Sequence, residues 1–333
     1  SGPDAFGAKT SGVIEADFFA QANDNINLLR LRHAFLKMNW SSVELLAGQY
    51  WNPLFVTDCF PGTVSFNTGT PLQSFARNPQ LRLTYKNSGL SITAAALSQR
   101  DFASRGAEGP SSSYLRNSAL PDMHLQTMYS SWNSDGSRGF DAGAGIAYKT
   151  IVPRLKSTFG PVNMYKVNEK VSGLTALGFV KAVTLPLTIK AQVRYGENIA
   201  DVLAPGGFAV KDLVDIATGE LSYTPLTSLS FWGEIHTNGS AVQAGVFGGF
   251  FRSLGTKEEM SGADNDVYGL GTDIYFLYRL SPRLIINSGK TRVAFEVEYT
   301  AAAYGSDYDV DYIPASTLTA NNIRGLIALY YFF

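Results

Sequence analysis

Apolar and polar residues alternate with a period of two along most of this sequence, in stretches of about ten residues. The clearest stretch is Leu187–Gly196. There Leu187, Ile189, Ala191, Val193 and Tyr195 face one way, and Thr188, Lys190, Gln192, Arg194 and Gly196 the other. The same pattern sets Leu81, Leu83 and Tyr85 against Arg82, Thr84 and Lys86, and Val293, Phe295, Val297 and Tyr299 against Arg292, Glu296 and Glu298. Near the start, Ile14, Ala16 and Phe18 oppose Glu15 and Asp17, while Leu29, Leu31 and Phe35 oppose Arg30 and Arg32. The apolar runs, such as Ala244–Phe251, are short and broken by glycine. None approaches the roughly 20 residues of a membrane helix, so the chain reads as all-β.

A soluble sandwich alternates too, with its apolar side inward. Two features favour a membrane barrel. The strands are longer than the five or six residues usual in globular sheets. Their connections also alternate in length. Short links fall at Asn39–Ser42, Asn87–Gly89, Asn133–Arg138, Thr184–Pro186, Asn238–Ser240 and Ser288–Lys290. Long ones fall at Asn52–Asn78, Arg100–Pro121, Ile151–Lys170, Glu197–Thr218, Leu254–Asp266 and Tyr304–Asn321. Short turns at one rim and long loops at the other are the asymmetry of outer-membrane barrels. The final alternating stretch, which stops on Tyr331 and Phe333, resembles the end signal of such barrels.

Fourteen segments read as strands. Pro153, Pro225 and Pro282 leave three of them open to being bent or divided, because proline cannot donate to a ladder. A closed antiparallel barrel needs an even number, so fourteen or sixteen strands are expected, in one domain over residues 1–333. The 17 Tyr, 21 Phe and 32 Gly suit such strands and their aromatic girdles. A net charge of −1 gives no sign of a nucleic-acid partner. Cys59 is the single cysteine, and Ser1 opens the sequence without a signal-like segment; neither feature points to a compartment.

In a wide barrel the lumen is polar, and its charges set selectivity. Parity assigns Arg30, Arg32, Arg82, Lys86, Lys190, Arg194 and Arg324 to the lumen, with Glu15, Asp17, Glu296 and Glu298. Leaving an Arg or Lys in lipid instead would cost about 2–4 kcal/mol at the midplane. Arg30, Arg32, Arg82 and Lys86 would form a basic wall, with Glu15 and Asp17 next to it. Those charges act either on passing solutes or on one another across strands. The loop over residues 52–78, ending near Arg77, holds Leu54, Phe55, Val56, Phe60, Phe66, Leu72 and Phe75. That content suits a loop folded inward as a constriction, packed on a neighbouring subunit, or forming an outer lid.

The expected role is a passive channel for small polar solutes in the outer membrane, in contact with its lipid and lipopolysaccharide and without a cofactor. Two rivals are a poorly conducting anchor or adhesin and an outer-membrane lipid hydrolase. The hydrolase would use His33, placed by parity on the lipid side, with Ser42; a histidine near the short-turn rim is the plainer account. His33, His124 and His236 lie far apart without metal-ligand spacing, and no phosphate loop or nucleophile elbow is present. The acidic runs Ser306–Tyr312 and Ala263–Asp266 suit solvated loops better than Ca²⁺ sites.

Several patches resemble porins of the DcaP type: Leu29–Phe35, Leu45–Trp51, Arg77–Arg82, Ser230–Glu234 and Leu280–Arg283. The resemblance implies a sixteen-stranded trimeric channel that favours small anions such as dicarboxylates, with Arg30, Arg32 and Arg82 as the matching basic positions. Glu15 and Asp17 depart from a purely anion-attracting wall.

Overall fold

A computed structural model describes residues 2–18, 27–159 and 163–333 of the chain. Its main sheet has 16 strands. Fourteen of them follow one another in sequence, each pairing antiparallel with the next. The first seven are β1 (Lys9–Asp17), β2 (Arg30–Asn39), β3 (Val43–Trp51), β4 (Arg77–Asn87), β5 (Leu90–Leu97), β6 (Asp122–Trp132) and β7 (Gly139–Ile151). The rest are β8 (Val171–Val183), β9 (Leu187–Glu197), β10 (Glu220–Thr237), β11 (Val242–Thr256), β12 (Ile274–Ser288), β13 (Thr291–Tyr308) and β14 (Pro314–Tyr331). Two further strands, Gly206–Asp215 and Val267–Leu270, lie off this path. The first pairs with the early part of β10 and the second pairs with the first. The sixteen strands are thus a fourteen-strand meander with a two-strand flank at the long-loop rim.

This is an up-and-down antiparallel barrel sheet. Being an even meander, it sets β1 and β14 antiparallel to each other, the relation a closed ladder needs. Among the described residues no ladder joins them, so the β14 side chains Ile323 and Leu329 stand 74% and 75% exposed.

The prolines resolve simply. Pro225 lies within β10, opposite Phe208 of the flanking strand. Pro282 lies within β12, paired towards β11. On its other side the β12–β13 ladder skips from Leu280 to Arg283. Pro153 falls just after β7. One loop expectation fails. Residues 304–321 are mostly strand, because β13 runs on to Tyr308 and β14 starts at Pro314. The alternation weakens there, since the strands rise beyond the apolar band, and this hid them in the sequence. The five-residue turn that remains is capped by Asp309, whose carboxylate accepts from the Asp311 and Ile313 amides at 3.0 and 2.8 Å.

The face of β2 changes partway along, and this bears on the site. β2 carries one extra residue opposite β1: Glu15 faces His33, but Ala16 faces Leu31. This bulge at Arg32 re-aims the side chains on either side of it. The β2–β3 ladder also ends at Ala34 and Gln49. Gln49 then bridges the gap, its amide donating to the Leu31 and Arg32 carbonyls at 3.0 and 2.9 Å. Gly48 sits at this fork with φ +127°, and a Cβ there would lie 2.2 Å from the Ala34 carbonyl oxygen.

Candidate functional site

The interior is organised by the segment between β3 and β4, residues 52–76. It leaves one side of the sheet and is bonded to the strands on the other. Glu234 of β10 accepts the Gly62 amide at 2.5 Å. Glu296 of β13 accepts the Val64 and Ser65 amides at 2.6 and 3.3 Å and the Thr68 hydroxyl at 2.7 Å. Arg279 of β12 donates to the carbonyls of Asn67, Thr68 and Thr70. On the return limb Arg194 donates to Ser74 and Pro71, Ser230 to the Leu72 carbonyl, and the Trp232 indole to Gln73. The bonds made by Glu234, Glu296, Arg279 and Arg194 are charge-assisted, the stronger class, each contributing about 1.5–3 kcal/mol.

Apolar burial reinforces the polar anchors. Leu54, Phe55, Val56 and Leu72 are buried, whereas Phe60 and Phe66 keep open faces. Cys59 is fully buried, its thiol directed at the Val180 carbonyl of β8 at 3.3 Å. Burial pushes the Cys59 thiol up to about 11, so little of it is ionised at pH 8. Maleimide labelling of the folded protein at pH 8 should therefore be roughly 100-fold slower than in denaturant. Equal rates would place the segment away from the wall.

Two cavities flank the segment along β1–β6. The one towards the long loops has a volume of about 650 Å³ and is lined by Asp17, Arg30, Arg32, Trp51, Phe66, Asn67, Thr70, Phe75, Arg77, Phe102 and Leu203. The one towards the short turns has a volume of about 270 Å³ and includes Lys37, Glu44, Tyr50, Asp58, Arg82, Thr84 and Lys86.

Charge in the larger cavity is compensated. Arg30 meets Asp17 at 2.8 Å, Arg32 meets Glu15 at 2.8 Å and Asp17 at 3.1 Å, and Arg77 meets Asp101 at 3.3 Å. Arg77 also stacks between Trp51 and Phe75, 4.9 and 5.2 Å from the ring centres. In the smaller cavity Glu44 lies 3.5 Å from Lys37 and 3.1 Å from Lys86. Arg82 donates to the Trp51 carbonyl at 2.6 Å and lies over the Tyr50 ring.

The charged residues picked out in the sequence, by parity or as part of the long loop, thus fall into three groups. Arg30, Arg32, Arg77, Arg82, Lys86, Glu15 and Asp17 gather on β1–β4 around the cavities. Lys190, Arg194 and Glu296 are spent on the inserted segment, with Lys190 bonded to the Phe60 carbonyl at 3.1 Å. Glu298 joins Arg279 and Arg324, and Arg324 also reaches Thr68. His33 is a correction. It shares the inner face with Phe35 and Lys37, its ring 5.0 Å from Trp51, because the bulge at Arg32 reverses the parity read from Arg30. It lies six residues from the short-turn end of β2 and is not on the lipid side beside Ser42. Phe102, Leu203, Asp101, Glu234 and Arg279 were missed. Phe102, Leu203 and Asp101 come from other loops, and no local pattern ties them to Arg77.

Neither a protein-family model nor a curated protein sequence matches the chain. Solved structures do. The outer-membrane channel DcaP of Acinetobacter baumannii superposes with a TM-score of 0.69 at 16% identity, over 99% of this chain and 82% of that one. An anion-selective porin from Comamonas acidovorans gives a TM-score of 0.55 at 9% identity, over 98% and 86%. The outer-membrane protein OmpT of Vibrio cholerae gives 0.54 at 12% identity, over 99% and 86%. At these identities the likeness speaks to architecture, and the chain has the β-barrel fold of bacterial outer-membrane porins.

Proposed function

We propose that this protein is an integral channel of a bacterial outer membrane, in contact with its lipid and lipopolysaccharide, through which small polar solutes diffuse passively. The observation that carries this reading is the inserted segment with a cavity of about 650 Å³ on one side and about 270 Å³ on the other, both lined by β2–β4. A segment pinned at residues 62–74 to β9–β13 leaves its free side towards that basic wall and acts as the constriction. Polar groups at such a narrowing set which solutes pass.

Carboxylate-bearing solutes, dicarboxylates included, are the favoured cargo, because Arg30, Arg32 and Arg77 converge on the larger cavity while Arg82, Lys37 and Lys86 continue along the same wall. The anion selectivity of the Comamonas porin, which shares the architecture, supports this. The matching carboxylates keep the preference mild. The working unit is a homotrimer. The protein is not an enzyme: His33 packs among aromatic rings on the inner face, away from lipid ester bonds.

Single-channel recording in planar bilayers tests the central claim. Stepwise conductance is expected, and its absence in correctly folded protein would favour an anchor or adhesin. Lipid hydrolysis that His33→Ala abolishes would favour the enzyme.

A further inference from the structure

The outer surface carries a groove that the channel reading leaves unused. It lies at the long-loop rim, where the loop between β5 and β6 overhangs the outward face of β4 and β5. Its walls include Pro79, Ala96, Leu115, Arg116, Ala119 and Leu120, and its volume is about 410 Å³. Ala96 pairs with Leu81 on one side and Met123 on the other, and both are half exposed. The apolar belt of the barrel therefore runs without a break into the groove.

The overhang is firmly built. A short helix, Ser113–Arg116, sends Tyr114 and Leu115 into a buried cluster with Ile151, Val171 and Phe208. The Tyr114 carbonyl accepts the Val152 amide at 2.9 Å, and Ser118 ties down the Leu115 carbonyl at 2.7 Å. Arg116, at the end of the helix, is exposed on the groove's edge, without an ion-pair partner among the described residues. Leu120 is 57% exposed beside it.

An open apolar slot continuous with the lipid-facing belt, with one guanidinium at its upper lip, is complementary to an acyl chain carrying a phosphate. We propose that this groove binds lipopolysaccharide, taking an acyl chain of its lipid A between Ala96 and Leu120 and a lipid A phosphate at Arg116. The proposal rests on the outer-membrane reading, which puts the long-loop rim in the lipopolysaccharide leaflet.

The test compares the parent protein with Arg116→Glu, Arg116→Lys and Ala96→Trp, the last filling the slot. Each is extracted in mild detergent, checked for the heat-resistant folded form, and analysed by native mass spectrometry for bound lipid. Retained lipopolysaccharide should fall roughly fivefold or more in Arg116→Glu and Ala96→Trp and recover in Arg116→Lys, with single-channel conductance unchanged in all. Equal retention in parent and Arg116→Glu would overturn the proposal, as would phospholipid in place of lipopolysaccharide. Dissociation of an oligomer without loss of lipid would assign the groove to a second copy of the chain. A parent that retains lipid at this groove but never conducts would refute the channel and leave the groove standing.

Discussion

Replacing Glu296 by Ala together with Arg279 by Ala is expected to raise single-channel conductance by roughly twofold or more. Glu296 alone accepts two backbone amides and a hydroxyl from the inserted segment, and Arg279 donates to three of its carbonyls. Together they bond five backbone groups and one hydroxyl between Val64 and Thr70. Without them those groups seek water, and at about 1.5–3 kcal/mol per charge-assisted bond the stretch from Val64 to Thr70 loses most of its polar anchors. Lys190 and Glu234 still hold residues 60 and 62, and Arg194, Ser230 and Trp232 still grip residues 71–74, so the stretch between them loosens while its two ends stay. Glu296→Gln keeps one acceptor oxygen and should have a smaller effect than Glu296→Ala. Unchanged conductance in a folded double variant would show that this stretch does not set the bore.

The second large effect concerns charge. Arg30→Ala with Arg32→Ala should move the reversal potential in a salt gradient towards cation selectivity. In the parent, three guanidinium groups around the larger cavity are matched by Asp17, Glu15 and Asp101. Removing two cations leaves the carboxylates in excess, and the field inside a low-dielectric mouth turns negative. Asp17→Asn with Glu15→Gln should move the potential the other way, towards anions. Both shifts should grow as ionic strength falls, because the Debye length is about 10 Å at 0.1 M salt. If neither pair moved the potential, selectivity would lie in the smaller cavity, at Lys37, Arg82 and Lys86.

Much of the wall was legible in the sequence because a pleated strand has a fixed two-residue period. On β4 and β9 that period runs unbroken, so Leu81, Leu83, Ile189 and Val193 are exposed outwards while Arg82 and Arg194 point in. Parity failed at β2. One extra residue at Arg32 flips everything beyond it, and nothing in the string Leu31-Arg32-His33 marks a bulge. Parity also gives direction but not partner. Arg194 and Arg30 read alike in sequence, yet one grips the inserted segment and the other borders a cavity. That difference depends on contacts across the barrel, between residues more than a hundred positions apart.

The same contacts bear on the order of assembly. The Val64 amide and its acceptor Glu296 are 232 residues apart, and Thr68 and Arg324 are 256 apart. Contacts that distant form late, because the loop closures between them must come first. The stretch around Val64–Thr68 therefore gains its full set of anchors only once β13 and β14 are in place. An incompletely zipped barrel would be wide and unselective, and its last strands would complete the wall and narrow the passage in one step.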